Sequence, residues 1–256
     1  MEGTHPKHIG ILAHSWEGAS LCWREICGYS TAQGLPAHPD LTMDCISFEH
    51  CMPAWEASDY ESVRAVLATS VDRLARAGCD FFICPDNTAH LALEAPGADL
   101  ALPGLHLVDT VAAAAERAEY TRVGILGTRY TMQGPLYPRE LAARGIQAVS
   151  PADDDQAMVH SAIFDELVHG TFRDETRDSF IDLIGRLADF GCDAVALVCT
   201  EIPLLVPPDL SPLPILDSTR LGGRAALEVA AGLREMPTWR GSGFRTAAVE
   251  TSAAPQ

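Results

Sequence analysis

Short apolar runs alternate along this chain with longer stretches in which apolar residues recur every three or four positions. The runs fall at 8–13, 81–85, 105–108, 123–127, 194–198 and 214–216. They are short and often β-branched, which predicts strands buried on both faces. The stretch 60–77 carries Val63, Val66, Leu67, Val71 and Leu74 near helical period, and 161–169 and 178–190 follow the same rule. Strands alternating with helices predict an α/β fold built on parallel sheets.

The pattern also repeats. Gly78-Cys79-Asp80 recurs 113 residues later as Gly191-Cys192-Asp193, each time after a helical stretch and before an apolar run. Upstream, Ile9-Gly10-Ile11-Leu12 recurs at an offset of 114 as Val123-Gly124-Ile125-Leu126. Downstream, Val108-Asp109-Thr110 resembles Leu216-Asp217-Ser218 at an offset of 108. Three matches in one order imply two copies of a single α/β unit. The two glycines are expected to close the helix before each strand.

Ligands in open parallel sheets sit beyond the carboxyl ends of the strands. The repeat puts Asp86 just past one such end and Cys199, 113 residues on, just past its equivalent. Two halves facing each other about a pseudo-two-fold axis would bring these side chains to one cleft from opposite sides. That geometry removes a proton from one face of a carbon and returns it to the other. Asn87-Thr88 and Thr200-Glu201 follow the two residues, where helix-opening N–H groups can hold a carboxylate. The alternative for the threonines, and for Asp86 itself, is simple helix capping.

Composition narrows the function. With 18 basic and 35 acidic residues the net charge is −17, which repels phosphate backbones and argues against nucleic-acid binding. The acidic trio Asp153-Asp154-Asp155 reads as a solvated loop. No apolar run reaches the roughly 20 residues of a membrane helix, and no signal peptide is evident, so a cytoplasmic location is expected. The 8 cysteines include no C-x-x-C pair and read as thiols. The nine histidines are dispersed, so no metal site is expected. Phosphate-loop, dinucleotide, zinc-protease and nucleophile-elbow motifs are all missing. From about Met236 the composition lacks a core and predicts a flexible tail.

Over about residues 8–232 the chain resembles the aspartate/glutamate racemase superfamily. The resemblance is carried by Ile9-Gly10-Ile11-Leu12 with Ser15-Trp16-Glu17, by Pro85-Asp86-Asn87-Thr88-Ala89-His90, and by Val123–Thr128 with Thr131-Met132. Ile163–Leu167, Cys199-Thr200-Glu201-Ile202-Pro203-Leu204 and Leu216–Thr219 complete it. It implies two pseudo-symmetric Rossmann-like lobes with the active site between them, no cofactor or metal, a small-molecule carboxylate substrate, and a homodimer. The lobes are expected at 1–113 plus 215–235 and at 114–214, with a tail at 236–256. Family racemases pair two cysteines as acid and base. Cys199 matches the second, whereas Asp86 stands at the first. Ser15, Trp16, Asn87, Thr88, Thr128, Thr200 and Glu201 are expected to contact substrate, with His14 and His50 as further polar groups of the cleft. The lysine that some relatives use near the helix at 163–170 is not evident; Val168 and His169 stand there.

Three functions compete. One is a racemase or epimerase using Asp86 and Cys199 on opposite faces. Another is a lyase resembling arylmalonate decarboxylase, in which Cys199 is the main proton donor. The last is a non-enzymatic binder of small acids. The first requires exchange at both groups: a helix N-terminus would lower the Cys199 pKa, and burial would raise that of Asp86.

Overall fold

The computed structural model describes residues 6–34 and 37–243. The first half runs β1 (Ile9–Leu12), α1 (Trp16–Ala32), β2 (Leu41–Asp44), α2 (Met52–Glu56), α3 (Tyr60–Arg76), β3 (Phe81–Ile83), α4 (Ala89–Leu93), β4 (Gly104–Leu105) and α5 (Leu107–Arg117). The second runs β5 (Arg122–Leu126), α6 (Arg129–Gln133), α7 (Leu136–Ala142), β6 (Gln147–Val149), α8 (Asp153–Asp165), α9 (Asp174–Asp189), β7 (Ala194–Leu197), α10 (Ile202–Leu205), β8 (Ile215–Asp217) and α11 (Ser218–Ala230). Each half folds a four-stranded, all-parallel sheet, in the orders β2-β1-β3-β4 and β6-β5-β7-β8. The two orders are the same, so the duplication read in the sequence is a duplication of topology.

The repeated Gly-Cys-Asp serves the frame. Gly78 and Gly191 take φ of +85° and +91°, a region costly for any residue with a Cβ. The next N–H in each copy, Cys79 or Cys192, reaches back to Leu74 or Leu187 and closes α3 or α9. Cys79 and Cys192 are then buried in their cores. The Asp80 carboxylate accepts the His8 N–H at 2.8 Å, and Asp193 accepts the Arg122 N–H at 3.0 Å, fixing the start of the neighbouring central strand in each half.

The halves exchange their last helices. Val108, Val111, Ala112 and Ala115 of α5 pack on Val123, Ile125 and Ala196 of the second sheet. Ala225, Ala226 and Val229 of α11 pack on Ile9, Ile11 and Phe81 of the first. The lobe limits expected from sequence give 215–235, and with it α11, to the first lobe. The limit at 113 falls inside α5, and the limit at 215 gives β8 to the first lobe although it is hydrogen-bonded to β7.

Other expectations also shift. The downstream repeat is out of register: His106 and Asp217 are the equivalent N-caps of α5 and α11, whereas Asp109 lies within the first turn of α5. Asp153-Asp154-Asp155 is no loop but the first turn of α8, where carboxylates suit the positive helix end. Of the expected tail, residues 236–243 are held against the first lobe. The Gly104 N–H donates to the Trp239 carbonyl at 2.7 Å, and the Trp239 ring stacks on His90. The remainder of that tail, 244–256, lies outside the described residues. No described helix is long and apolar enough to cross a membrane.

Candidate active site

The ends of β3 and β7 are tied together by side chains that follow them. Asn87 is buried and donates through Nδ2 to the Val198 carbonyl at 3.0 Å and to Ser218 Oγ at 2.9 Å. Its Oδ1 accepts the Tyr137 hydroxyl at 2.6 Å. A second tie is made by α1. A Cβ on Gly18 would overlap the Thr200 methyl and stand 3.2 Å from the Pro85 carbonyl. The first turn of α1 therefore lies directly against the neighbours of both Asp86 and Cys199.

Asp86 divides its two oxygens. Oδ1 accepts the Ala89 N–H at 3.2 Å and so caps α4, while Oδ2 lies 2.6 Å from His14 Nδ1. The capping and the chemical readings of this residue each describe one oxygen. Burial would raise the Asp86 pKa, but the charge and hydrogen bond of His14 outweigh it and hold the carboxyl below its ordinary range. Burial alone would lower His14; Asp86 reverses that and pushes it up to about 9, with Cys51 adding to the rise. The Trp55 indole N–H points at His14 Nε2 from 3.1 Å and can only donate, so it works against a proton there. In this geometry the shared proton lies between Nδ1 and Oδ2.

Behind Asp86, buried His90 is fixed as the neutral Nδ1–H form. Nδ1 donates to the Asp86 carbonyl at 2.8 Å, and Nε2 accepts the Leu107 N–H at 3.1 Å. Burial first, and His106 second, depress its pKa to about 3.

Cys199 is half-buried, and its Sγ–H donates to Glu201 at 3.0 Å. Burial and the Glu201 charge push the thiol well above its usual range. The two pKa directions expected from sequence are thus both reversed. The helix after Cys199 is a single turn, α10, and burial together with the Glu201 carboxylate outweighs the one backbone N–H, of Glu201, that reaches the sulfur. Asp86, in turn, meets an imidazole and not a thiolate.

Thr88 of the first half meets Thr128 and Thr131 of the second. Their three hydroxyl oxygens form a triangle with sides of 3.1 to 3.3 Å. Hydroxyl protons rotate, so this triangle can redirect them to one shared carboxylate. Ser15 N-caps α1 and bonds Glu17 at 3.3 Å. Thr200 lies buried against Gly18. The side chain of Asn87, expected to touch substrate, is instead fully used as an inter-half tie. Trp16 is 65% exposed, and His50 lies exposed on a 3-10 turn at Phe48–His50. Neither contacts the Asp86 or Cys199 pairs.

Trp55 and Gly18 were not anticipated. Their signal is weak, since Trp55 looks like one more core aromatic and Gly18 like a poor helix residue. Beside Trp55, a cavity of about 470 Å³ opens along the seam between the halves, with Tyr60, Tyr130, Leu91 and Arg139 among its walls. Arg139 there is bidentate to Glu94 at 2.7 Å for both bonds, one more link across the seam. Among the described residues, no group of three or more His, Cys, Asp or Glu is arranged to hold a metal ion.

Fold and site together define a duplicated α/β protein whose ionisable groups gather where the strand ends of its two halves meet. Residues 29–226 match the Asp/Glu/hydantoin racemase family, and the chain belongs to it. It is accordingly an isomerase of the racemase kind. It is 26% identical over 162 residues to the broad specificity amino-acid racemase RacX of Bacillus subtilis (strain 168), a match spanning 63% of this chain and 69% of that one. A putative Asp/Glu racemase from Yersinia pestis superposes with a TM-score of 0.78 at 28% identity, covering 88% of this chain and 99% of that one. An aspartate racemase homologue from Pyrococcus horikoshii OT3 shares the fold with a TM-score of 0.75 at 23% identity, covering 88% and 99%.

Proposed function

We propose that the protein is a cofactor-independent amino-acid racemase or epimerase, moving a proton between the two faces of the α-carbon of a small carboxylate-bearing substrate. Asp86 and Cys199 act from opposite faces. The observation that carries this reading is their unlike pairing. Asp86 is held as a carboxylate by His14, and Cys199 is held as a thiol by Glu201. One group is ready to take a proton and the other to give one.

In one direction the Asp86 carboxylate accepts the α-proton, and the C–H electron pair passes into the substrate carboxylate as an enediolate. The Thr88, Thr128 and Thr131 hydroxyls supply the hydrogen bonds that stabilise this charge. Cys199 then delivers its S–H proton to the opposite face. The thiolate so formed faces Glu201 and is repelled by it, which favours its return to the thiol. In the reverse direction the Cys199 thiolate left by the first direction takes the α-proton, and Asp86, protonated by that same first direction, delivers its proton to the other face.

Because the resting thiol is an acid, the same site also suits a lyase in which Cys199 protonates an enediolate left by loss of carbon dioxide. Deuterium incorporation from heavy water, followed by NMR over a panel of amino and dicarboxylic acids, separates the two. A racemase shows α-exchange with formation of the antipode, and loses about 10²–10⁴-fold of it in Cys199→Ala and in Asp86→Asn. No exchange with any amino acid, alongside decarboxylation of a malonate, would replace this reading by the lyase.

A further inference from the structure

The surroundings of the Asp86–His14 pair are unusually rich in rings. Phe48 meets His14 edge-on at 4.8 Å, and Trp55 meets His14 at 5.7 Å. Across the seam Trp55 meets Tyr130 at 6.5 Å, Tyr130 meets His160 at 6.4 Å, and His160 meets Phe164 at 4.7 Å. The band thus starts on the first half, passes within one residue of Asp86, and ends on α8 of the second half. Tyr130 is also two residues from Thr128, a member of the hydroxyl triangle. Phe48, Tyr130 and Phe164 are each 44% exposed. Aromatic surface left in water beside a reactive pair costs free energy that a ligand ring recovers by covering it.

Charge points the same way. A second carboxylate on the substrate needs a cation, and the band offers little. Arg139 by Tyr130 is already bidentate to Glu94. Arg129 lies at the edge, where its backbone N–H bonds His160 and its charge reaches that ring.

We infer that the substrate is a carboxylic or amino acid bearing an aromatic side chain, whose ring lies on the Phe48–Trp55–Tyr130 band while its carboxylate meets the threonine triangle. This deepens the racemase reading and rests on it. The ring stacks between elements of both halves, so it bridges the seam and sets the α-carbon between Asp86 and Cys199.

The test compares phenylalanine and tyrosine with alanine, aspartate and glutamate, measuring kcat/KM by α-deuterium exchange and affinity by titration calorimetry. The expected result is a kcat/KM for phenylalanine at least about tenfold above that for aspartate and glutamate. In Phe48→Ala and Tyr130→Ala the ratio of phenylalanine to alanine kcat/KM falls about tenfold, through KM, and Tyr130→Phe restores it. These side chains are exposed, so the variants fold. Preferred turnover of aspartate or glutamate would overturn the inference and leave the racemase reading intact. An unchanged phenylalanine-to-alanine ratio in both alanine variants would overturn it equally. Calorimetric binding of phenylalanine that Tyr130→Ala weakens, with no exchange for any acid, would do the opposite: the aromatic site would stand and the racemase reading would fall.

Discussion

His14 has two nitrogens under opposite demands. Asp86 attracts a positive charge to the ring, and Trp55 requires a lone pair on Nε2. The folded-state pKa of about 9 lies above the unfolded value of 6.5. The ion pair therefore stabilises the fold fully below pH 6.5, and that contribution is lost as pH rises from 6.5 through about 9. Trp55→Phe removes the competing donor while keeping an aromatic ring. The His14 titration, followed by NMR of its ring protons, is expected to move upward in this variant; a midpoint that stays or falls would show that Trp55 does not restrain the second proton. That Asp86 and Cys199 follow equivalent strands, β3 and β7, was legible in the sequence, because duplication marks them as equivalent. Their protonation states were not. Those depend on His14, 72 residues from Asp86, and on which way Glu201 turns.

At the scale of elements, a single amide makes one of the ties between the ends of β3 and β7. The Asn87 side chain satisfies Tyr137, Val198 and Ser218 at once, all in the interior. Asn87→Ala leaves the Tyr137 hydroxyl and the Val198 carbonyl unpaired, at about 1–3 kcal/mol for each stranded group. Urea unfolding should report that loss; stability within about 0.5 kcal/mol of the parent would mean that water replaces the amide. The central strands and the helices α3 and α9 were readable; β1, β3, β5 and β7 are buried along their whole or nearly whole length and apolar apart from Arg122 at the start of β5, whereas α1, α5 and α11 were not read as helices. The flanking strands β2 and β6 were missed. Leu41–Asp44 and Gln147–Val149 are half-exposed and partly polar, and only their partners β1 and β5 make strands of them. Tertiary pairing there overrides a weak local pattern.

Across the whole molecule, pH acts through groups buried in the seam. His90 has a folded pKa of about 3 against 6.5 unfolded, so the unfolded chain binds the extra proton between those values. Stability from this group is complete above pH 6.5 and is lost as pH falls toward 3, at a limiting rate of about 1.4 kcal/mol per pH unit. Between pH 7 and 5 that amounts to roughly 2 kcal/mol. Paired urea melts of the parent and His90→Gln check it: the variant should lose that much less on acidification, and an equal loss would place the sensitivity elsewhere. The global α/β class was legible from alternation and repeat alone. That α5 covers the second sheet was not, because amphipathic helices do not name the sheet they will cover.

The exchange of last helices between the halves has a bearing on how the chain is made. Glu25 on α1 pairs with Arg224 on α11, 199 residues away. A ribosome releases β1 to β4 well before α11, whose Ser218 follows Leu105 of β4 by 113 residues and which shares the covering of one face of their sheet with α1. Until then Ile9, Ile11 and Phe81 have α1 but not α11 to cover them, and the rest of that face stands open to water. Closure of the first half thus waits on the second, and the long-range docking of α11 couples the two.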